Sequence, residues 1–258
     1  MSISSINFSQ NLYRTYNQLS GGKRINSAAD DAAGLAIAQK LLTQSNGYDV
    51  GNRNAAASQD MTKVAEGALG SITDNLQRIR ELSVQASNTA IYGEAERGMI
   101  QQEIDQLKQS ISDTASQTQF NTMNVLDGTM KDSHVASNPD GSGMTINMPD
   151  ATLAALGIAD YDVTGNFDIS DIDKALERVT SSRADMGVTS NRLDYTMNYN
   201  TYASYNTTAS RSRIEDLDYG PAVSDMKKNE VLEQYRLMMQ KKQEDENGRV
   251  IQLFRMNS

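Results

Sequence analysis

The chain has 258 residues, enough for one or two globular domains, but only 38% are hydrophobic, 6% are aromatic and none is Trp. That composition is lean for a compact enzyme and ordinary for long solvated helices. With 24 Lys and Arg against 33 Asp and Glu the net charge is -9, which excludes nucleic acid and anionic membrane as main partners because both require a basic face. Cysteine is absent, so disulfide staples, thiol nucleophiles and thiolate metal sites are excluded too.

Taken in chain order, the first segment reads as helix. It has neither the basic n-region nor the unbroken apolar h-region of a secretory signal, and it breaks at Ser20-Gly21-Gly22. A restart follows at Ser27-Ala28-Ala29-Asp30, an S-x-x-D arrangement resembling a capping box ahead of an alanine-rich run. The prolines are Pro139, Pro149 and Pro221, so nothing before Pro139 forces a helix to stop. From Met61 the apolar positions Val64, Ala68, Leu69, Ile72, Leu76, Ile79, Leu82 and Ala86 advance by helical steps and form one stripe. Past a break at Tyr92-Gly93 a second stripe runs through Ile100, Ile104, Leu107, Ile111 and Ala115, which predicts an antiparallel helix pair. No apolar run reaches the length that spans a bilayer.

Residues 127–169 change character, with Asp127-Gly128, Asn138-Pro139-Asp140-Gly141 and the alternation Met144-Thr145-Ile146-Asn147-Met148. This predicts a small β-hairpin joined to loops. From Asp171 helical periodicity returns, with Ile172, Val179, Met186 and Leu193 spaced by seven and Leu176 and Met197 on the second core position. Arg183 and Ser190 fall on that second position and Asn200 on the first, so the seam calls for another helix or another subunit to complete it. Tyr219-Gly220-Pro221 marks a break before a final helix, Ala222 to about Asn247. Breaks near both ends, at Ser20, Gly21 and Gly22 and at Gly220 and Pro221, predict two hinges flanking terminal helices that share one module.

Chemistry is poorly provided for. The single histidine, His134, lies in the polar stretch Asp132-Ser133-His134, where a Ser-His-Asp triad would have no rigid support. The acids of Asp168-Ile169-Ser170-Asp171-Ile172-Asp173 lack the glycine and the bidentate glutamate of a calcium loop and suit a helix N-terminus. Ser20-Gly21-Gly22-Lys23 lacks the spacing of a phosphate-binding loop. No catalytic residue, cofactor site or metal site is expected. Between Gln77 and Gln85 charged residues alternate with Ile79, Leu82 and Val84, so one face can be buried while Arg78, Arg80 and Glu81 are placed to reach a partner.

The segment Leu19-Ser-Gly-Gly-Lys-Arg-Ile-Asn-Ser-Ala-Ala-Asp-Asp-Ala-Ala-Gly-Leu-Ala-Ile-Ala38 resembles the N-terminal signature of bacterial flagellins. Ala65 to Leu69, Gln77 to Gln85 and Gln117 to Asn121 follow in the family's order, as do Ser182 to Gly187, Asn191 to Leu193 and Ser212 to Asp216 near the other end. The resemblance implies a mainly α fold: an elongated antiparallel helical rod with a small β-hairpin region and paired terminal helices. It divides the chain into an N-terminal inner-core segment and hinge (1–26), N-terminal outer-core helices (27–126), a short hairpin and loop region (127–170), a C-terminal outer-core helix (171–218) and a C-terminal inner-core helix (219–258). Large variable outer domains, inserted by many flagellins near residues 127–169, are missing.

The same resemblance implies a structural subunit of the extracellular flagellar filament, exported unfolded through the flagellar type III channel and serving motility. Its implied partners are copies of itself, the export chaperone at the C-terminal helix, the filament cap and the Toll-like receptor of animal hosts. The receptor patch carried over by position is Arg78, Leu82 and Glu103, within a wider interface of Gln77, Arg80, Glu81 and Gln85. Two features depart from the family: the segment before Leu19 is shorter than usual by roughly a dozen residues, about three turns, and Glu233 to Asn247 is bulkier and more charged. A hook-filament junction protein shares the terminal helices, though the Gln77 to Gln85 motif favours the filament subunit over it, and the altered ends also fit a secreted flagellin-like module that no longer polymerises.

Overall fold

The computed structural model describes residues 3–256, with side-chain surroundings for residues 12–250; the outermost positions of the two expected terminal segments lie outside the described residues. The elements are helices α1 (Ile3–Gly21), α2 (Ala32–Ala86) and α3 (Glu94–Gln117), strands β1 (Gln119–Phe120), β2 (Met123–Asn124), β3 (Ser133–Ala136) and β4 (Gly143–Ile146), then α4 (Leu153–Leu156), α5 (Ser170–Glu215) and α6 (Tyr219–Met256). The fold is mainly α with two small antiparallel strand pairs. Two compact units are present, one formed by residues up to Gln44 with those from Asn206 onward, the other by Ser45–Tyr205.

In the Ser45–Tyr205 unit the core follows α2. Met61, Ala65, Leu69, Ile72, Leu76, Ile79, Leu82 and Ala86 are buried, while Val64 turns out to solvent and Ala65 takes the inward place. Ile100, Ile104, Ile111 and Ala115 of α3 and Ile172, Ala175, Val179, Met186 and Leu193 of α5 meet this strip. Each buried Leu or Ile contributes roughly 1.5–3 kcal/mol. Hydrogen bonds pairing Asn75 with Ser110 at 3.1 Å and Arg78 with Glu103 at 2.8 Å run α3 antiparallel to α2. The heptad seam of α5 is interrupted as its sequence predicts: Arg183 is exposed, Ser190 accepts from Gln59 at 3.4 Å, and fully buried Asn200 donates to the Ser137 carbonyl at 2.7 Å.

Between the helices the chain makes more structure than its sequence advertises. β1 and β2 form a tight hairpin through Asn121 (φ 49) and Thr122 (φ 65); both central residues adopt the left-handed region that a type I′ turn demands, and a β-branched residue there hides the turn from composition. The expected hairpin is β3 against β4, with Ser133 opposite Ile146 and Ala136 opposite Gly143. Its tip rests against Gly51 of α2, where a Cβ would collide with the Ser137 carbonyl. Asp127, Asp140, Asp150, Asp162 and Asp168 each stand two residues before a Thr or Ser and accept both its backbone N–H and its hydroxyl. These recurrent turns order the segment that covers one side of the core with Val125, Leu126, Ile146, Leu156, Ile158 and Val163.

In the other unit α1 and α6 pack together, with the Tyr16 hydroxyl donating to Glu230 at 2.7 Å and the Tyr219 hydroxyl to the Leu19 carbonyl at 3.4 Å. α2 begins later than the capping-box reading places it. Asp30 instead closes the preceding turn by accepting from the Asn26 and Ser27 backbones and the Ser27 hydroxyl, and Asp31 caps the helix by accepting from Gly34 N–H at 2.8 Å. Residues 22–25 lie against 214–217: Gly22 accepts from Leu217 N–H at 3.0 Å, and Arg24 N–H donates to the Glu215 carbonyl at 2.7 Å. Glu215 is buried and its carboxylate pairs with Lys23 and, at 3.8 Å, with Arg211.

Two outcomes test this description. Glu215→Ala should destabilise this junction by about 1–3 kcal/mol, less than a fully buried pair because half-exposed Lys23 can rehydrate; amide exchange at Arg24 and Leu217 checks it, and wild-type protection there rules the pair out as a clamp. The carboxyls of Asp127, Asp140, Asp162 and Asp168 are held below the ordinary value of 3.8 by the Thr or Ser hydroxyls, then by the same residues' N–H groups. A carboxyl depressed by folding stabilises while ionised, so this contribution is complete above 3.8 and disappears as pH falls through the lowered folded values. The amide shifts of Thr129, Ser142, Thr164 and Ser170 should titrate with midpoints below 3.8; midpoints at or above it would contradict the turns.

Candidate functional site

Helical geometry distributes the residues of the Gln77–Gln85 stretch around α2. Ile79 and Leu82 face the core, Leu82 being 2% exposed. Gln77, Arg78, Arg80, Glu81, Val84 and Gln85 are exposed. Leu82 therefore packs beneath the exposed ridge, on the face expected to be buried, whereas Val84, expected on that face too, points to solvent because it lies two residues on around the helix.

Both arginines are engaged within the chain. Arg78 Nε and Nη2 donate to one carboxylate oxygen of Glu103 at 2.9 and 2.8 Å, and Nη1 donates to Glu81 at 3.1 Å. Arg80 Nε donates to Asp173 at 2.6 Å. Arg78 so links α2 to α3, and Arg80 links α2 to the first turn of α5. The hydrogen bond from Arg78 to Glu103, then that to Glu81, raises the Arg78 pKa, and the bond to Asp173 does the same for Arg80. Gln77 stands beside Arg78, and Gln85 donates to the Tyr92 hydroxyl. The result is an exposed polar ridge with fixed guanidinium and carboxylate groups, suited to recognition of another macromolecule by directed hydrogen bonds. Asp173 and Tyr92 complete it. Neither is marked by local sequence, since each joins the ridge from another element or beyond a turn; the i+4 grammar of one helix finds only neighbours on that helix.

The hinge residues fall differently at the two ends. Ser20 and Gly21 close α1, and Gly22 takes φ +66, a left-handed position that favours glycine. Gly220 and Pro221 lie inside the first turn of α6, whose entry is Asp218; its carboxylate accepts from Gly220 N–H at 3.1 Å and its carbonyl from Ala222 N–H at 3.2 Å. Proline is accepted there because the N–H groups of a first turn have no partner within the helix. The break thus sits at Asp216–Asp218 and not at Gly220-Pro221. Of the chemically suggestive residues, His134 Nε2–H donates to the Gly141 carbonyl at 3.0 Å across the hairpin, and the Asp168 and Asp171 carboxylates serve Ser170 and Lys174 at the head of α5. Among the described residues no group of three His, Cys, Asp or Glu is arranged to hold a metal, and no helix is long and apolar enough to cross a membrane.

Comparison with known proteins matches residues 3–131 to the bacterial flagellin N-terminal helical region and residues 169–254 to the bacterial flagellin C-terminal helical region. The flagellar filament 33 kDa core protein of Treponema phagedenis is 36% identical over 250 residues, covering 88% of this chain and 87% of that one. The flagellin of Bacillus subtilis is 35% identical, covering 92% and 91%. The crystal structure of Bacillus cereus flagellin superposes with a TM-score of 0.50 at 28% identity, over 57% of this chain and 88% of the other. With both helical regions matched and relatives aligned along most of their length, this chain belongs to the bacterial flagellin family.

Proposed function

We propose that the protein is a structural subunit that polymerises with copies of itself into the filament of the bacterial flagellum, outside the cell, and so serves motility. The observation that carries this reading is the pairing of α1 with α6 from opposite ends of the chain, which leaves Tyr13, Val231, Tyr235, Leu237 and Met238 exposed. Apolar residues on a helix pair lower the free energy only when something covers them, and further copies of the same pair supply that cover. Similarity to proteins named as filament core proteins supports the same assembly. Export through the flagellar type III channel, an export chaperone on α6 and the filament cap complete the proposal, by analogy with the family.

Filaments seen by electron microscopy under polymerising conditions would support the assignment, and their absence, with the protein persisting as monomer, would favour a secreted module instead. Recognition by the animal Toll-like receptor is assigned to the ridge of Gln77, Arg78, Glu81, Gln85 and Glu103, with Arg80 at its flank and Leu82 supporting it from below. Arg78→Ala should weaken receptor affinity about fivefold or more, while Leu82→Ala should register first as lost thermal stability; unchanged affinity in the Arg78 variant refutes the assignment.

A further inference from the structure

The C-terminal part of α5 has its polarity reversed. At 3.6 residues per turn, Tyr195, Tyr199 and Tyr202 lie within about 60° of one another, with Tyr205 about 60° further round. Leu193, Asn200 and Ser204 lie on the opposite side. The inward side is polar: Asn200 is bonded to the Ser137 carbonyl, Ser204 donates to Asp49 at 2.8 Å, and Thr201 at its edge accepts from Asn52 at 3.0 Å. Outward, Tyr195, Tyr199, Tyr202 and Tyr205 are 76%, 61%, 71% and 73% exposed. A helix stabilised by this unit alone would carry its large rings inward.

An aromatic side chain offers about 150–250 Å², so the four tyrosines present roughly 500 Å² along about 15 Å of helix. That is comparable with the largest patch on an ordinary monomer, about 300–600 Å² and often functional. It is less than the about 800 Å² per partner of a stable binary interface. The face therefore suits one of several contacts repeated through an assembly, and by itself holds a pair only weakly, at high concentration.

Charge selects the occupant. The chain carries a net charge of -9, yet no residue from Tyr195 to Ser210 is charged. Copies repel one another through their acidic surfaces, and this strip is where they approach at least cost. Tyrosine hydroxyls and the interleaved Asn198 amide both donate and accept, so the face can satisfy another copy's polar groups while its rings are buried. Tyr199 is steadied by an edge-on contact with Tyr48, ring centres 6.2 Å apart and planes at 80°, which lowers the entropy lost on docking.

We propose that the outward tyrosine face of α5 is a contact surface for a second copy of this chain within the filament, an inference that rests on the filament reading above. Tyr195→Ser with Tyr202→Ser should raise the critical concentration for salt-induced polymerisation about tenfold or more, whereas the Tyr→Phe pair, which keeps the rings, should stay near wild type. Thermal melts should match wild type because both positions face away from the core, and assembly of the Ser pair at the wild-type concentration would overturn the proposal. Nitration by tetranitromethane gives a measurement free of variants: the four rings should be protected in filaments relative to monomer, and equal modification overturns the assignment. Should wild-type protein form no filaments, the filament reading fails on its own. Sedimentation equilibrium at high concentration then judges the face: association lost in the Ser pair sustains it, and strictly monomeric wild type overturns it.

Discussion

A proline-free helix of 55 residues cannot bury one of its own faces, and the rest of the Ser45–Tyr205 unit is organised around that constraint. The strip of α2 from Met61 to Ala86 is covered by α3, by the first half of α5 and by the ordered segment between them. No one of these covers the strip alone. The ion pairs at Arg78 and Arg80 lie at the margins of this packing, one toward each neighbouring helix. Being half exposed they contribute little to stability, but they fix the positions of charged groups on the surface, which is what recognition requires.

Toward residue 45 the same two helices meet through a different chemistry. Gln59 reaches Ser190 and Asp194, Asn52 reaches Thr201, and Asp49 and Ser45 share Ser204. A seam of amides and hydroxyls is specific in register but contributes less than buried hydrocarbon, each net hydrogen bond being worth about 1 kcal/mol. The tip of the β3–β4 hairpin adds to it by seating its Ser137 carbonyl on the Asn200 amide, at a place where α2 offers glycine.

Helices were legible in the sequence because their signal is local and repeated. The steps from Leu69 to Ala86 and from Ile172 to Leu193 can be read without knowing what covers them, and both strips are buried. Boundaries were less legible where two signals compete: Ser27 and Asp31 are both capping residues, and only the bond to Gly34 decides for Asp31. Gly220-Pro221 reads as a breaker, yet in a first turn it breaks nothing. The Asp-x-Thr and Asp-x-Ser repetitions between Asp127 and Ser170 were a usable sign of ordered turns. Of the ridge, Arg78 and Glu81 can be read from α2 alone, whereas the links to Glu103 and Asp173 join positions 25 and 93 residues apart. No local pattern encodes such a separation.

Tyr195 to Tyr205 shows why periodicity must be read with its phase. Tyrosines spaced at four and three residues fit an amphipathic stripe, and the usual inference turns such a stripe inward. Here Leu193, in phase with Ile172, Val179 and Met186, fixes which side of α5 faces α2, and the tyrosines fall opposite. Continuing the heptad from Leu193 reaches Asn200, buried and polar, as the aromatic surface emerges on the other face. Within one molecule that pattern stabilises little. Its physical sense lies in a subunit whose outward apolar surface is covered only after folding, when another molecule arrives.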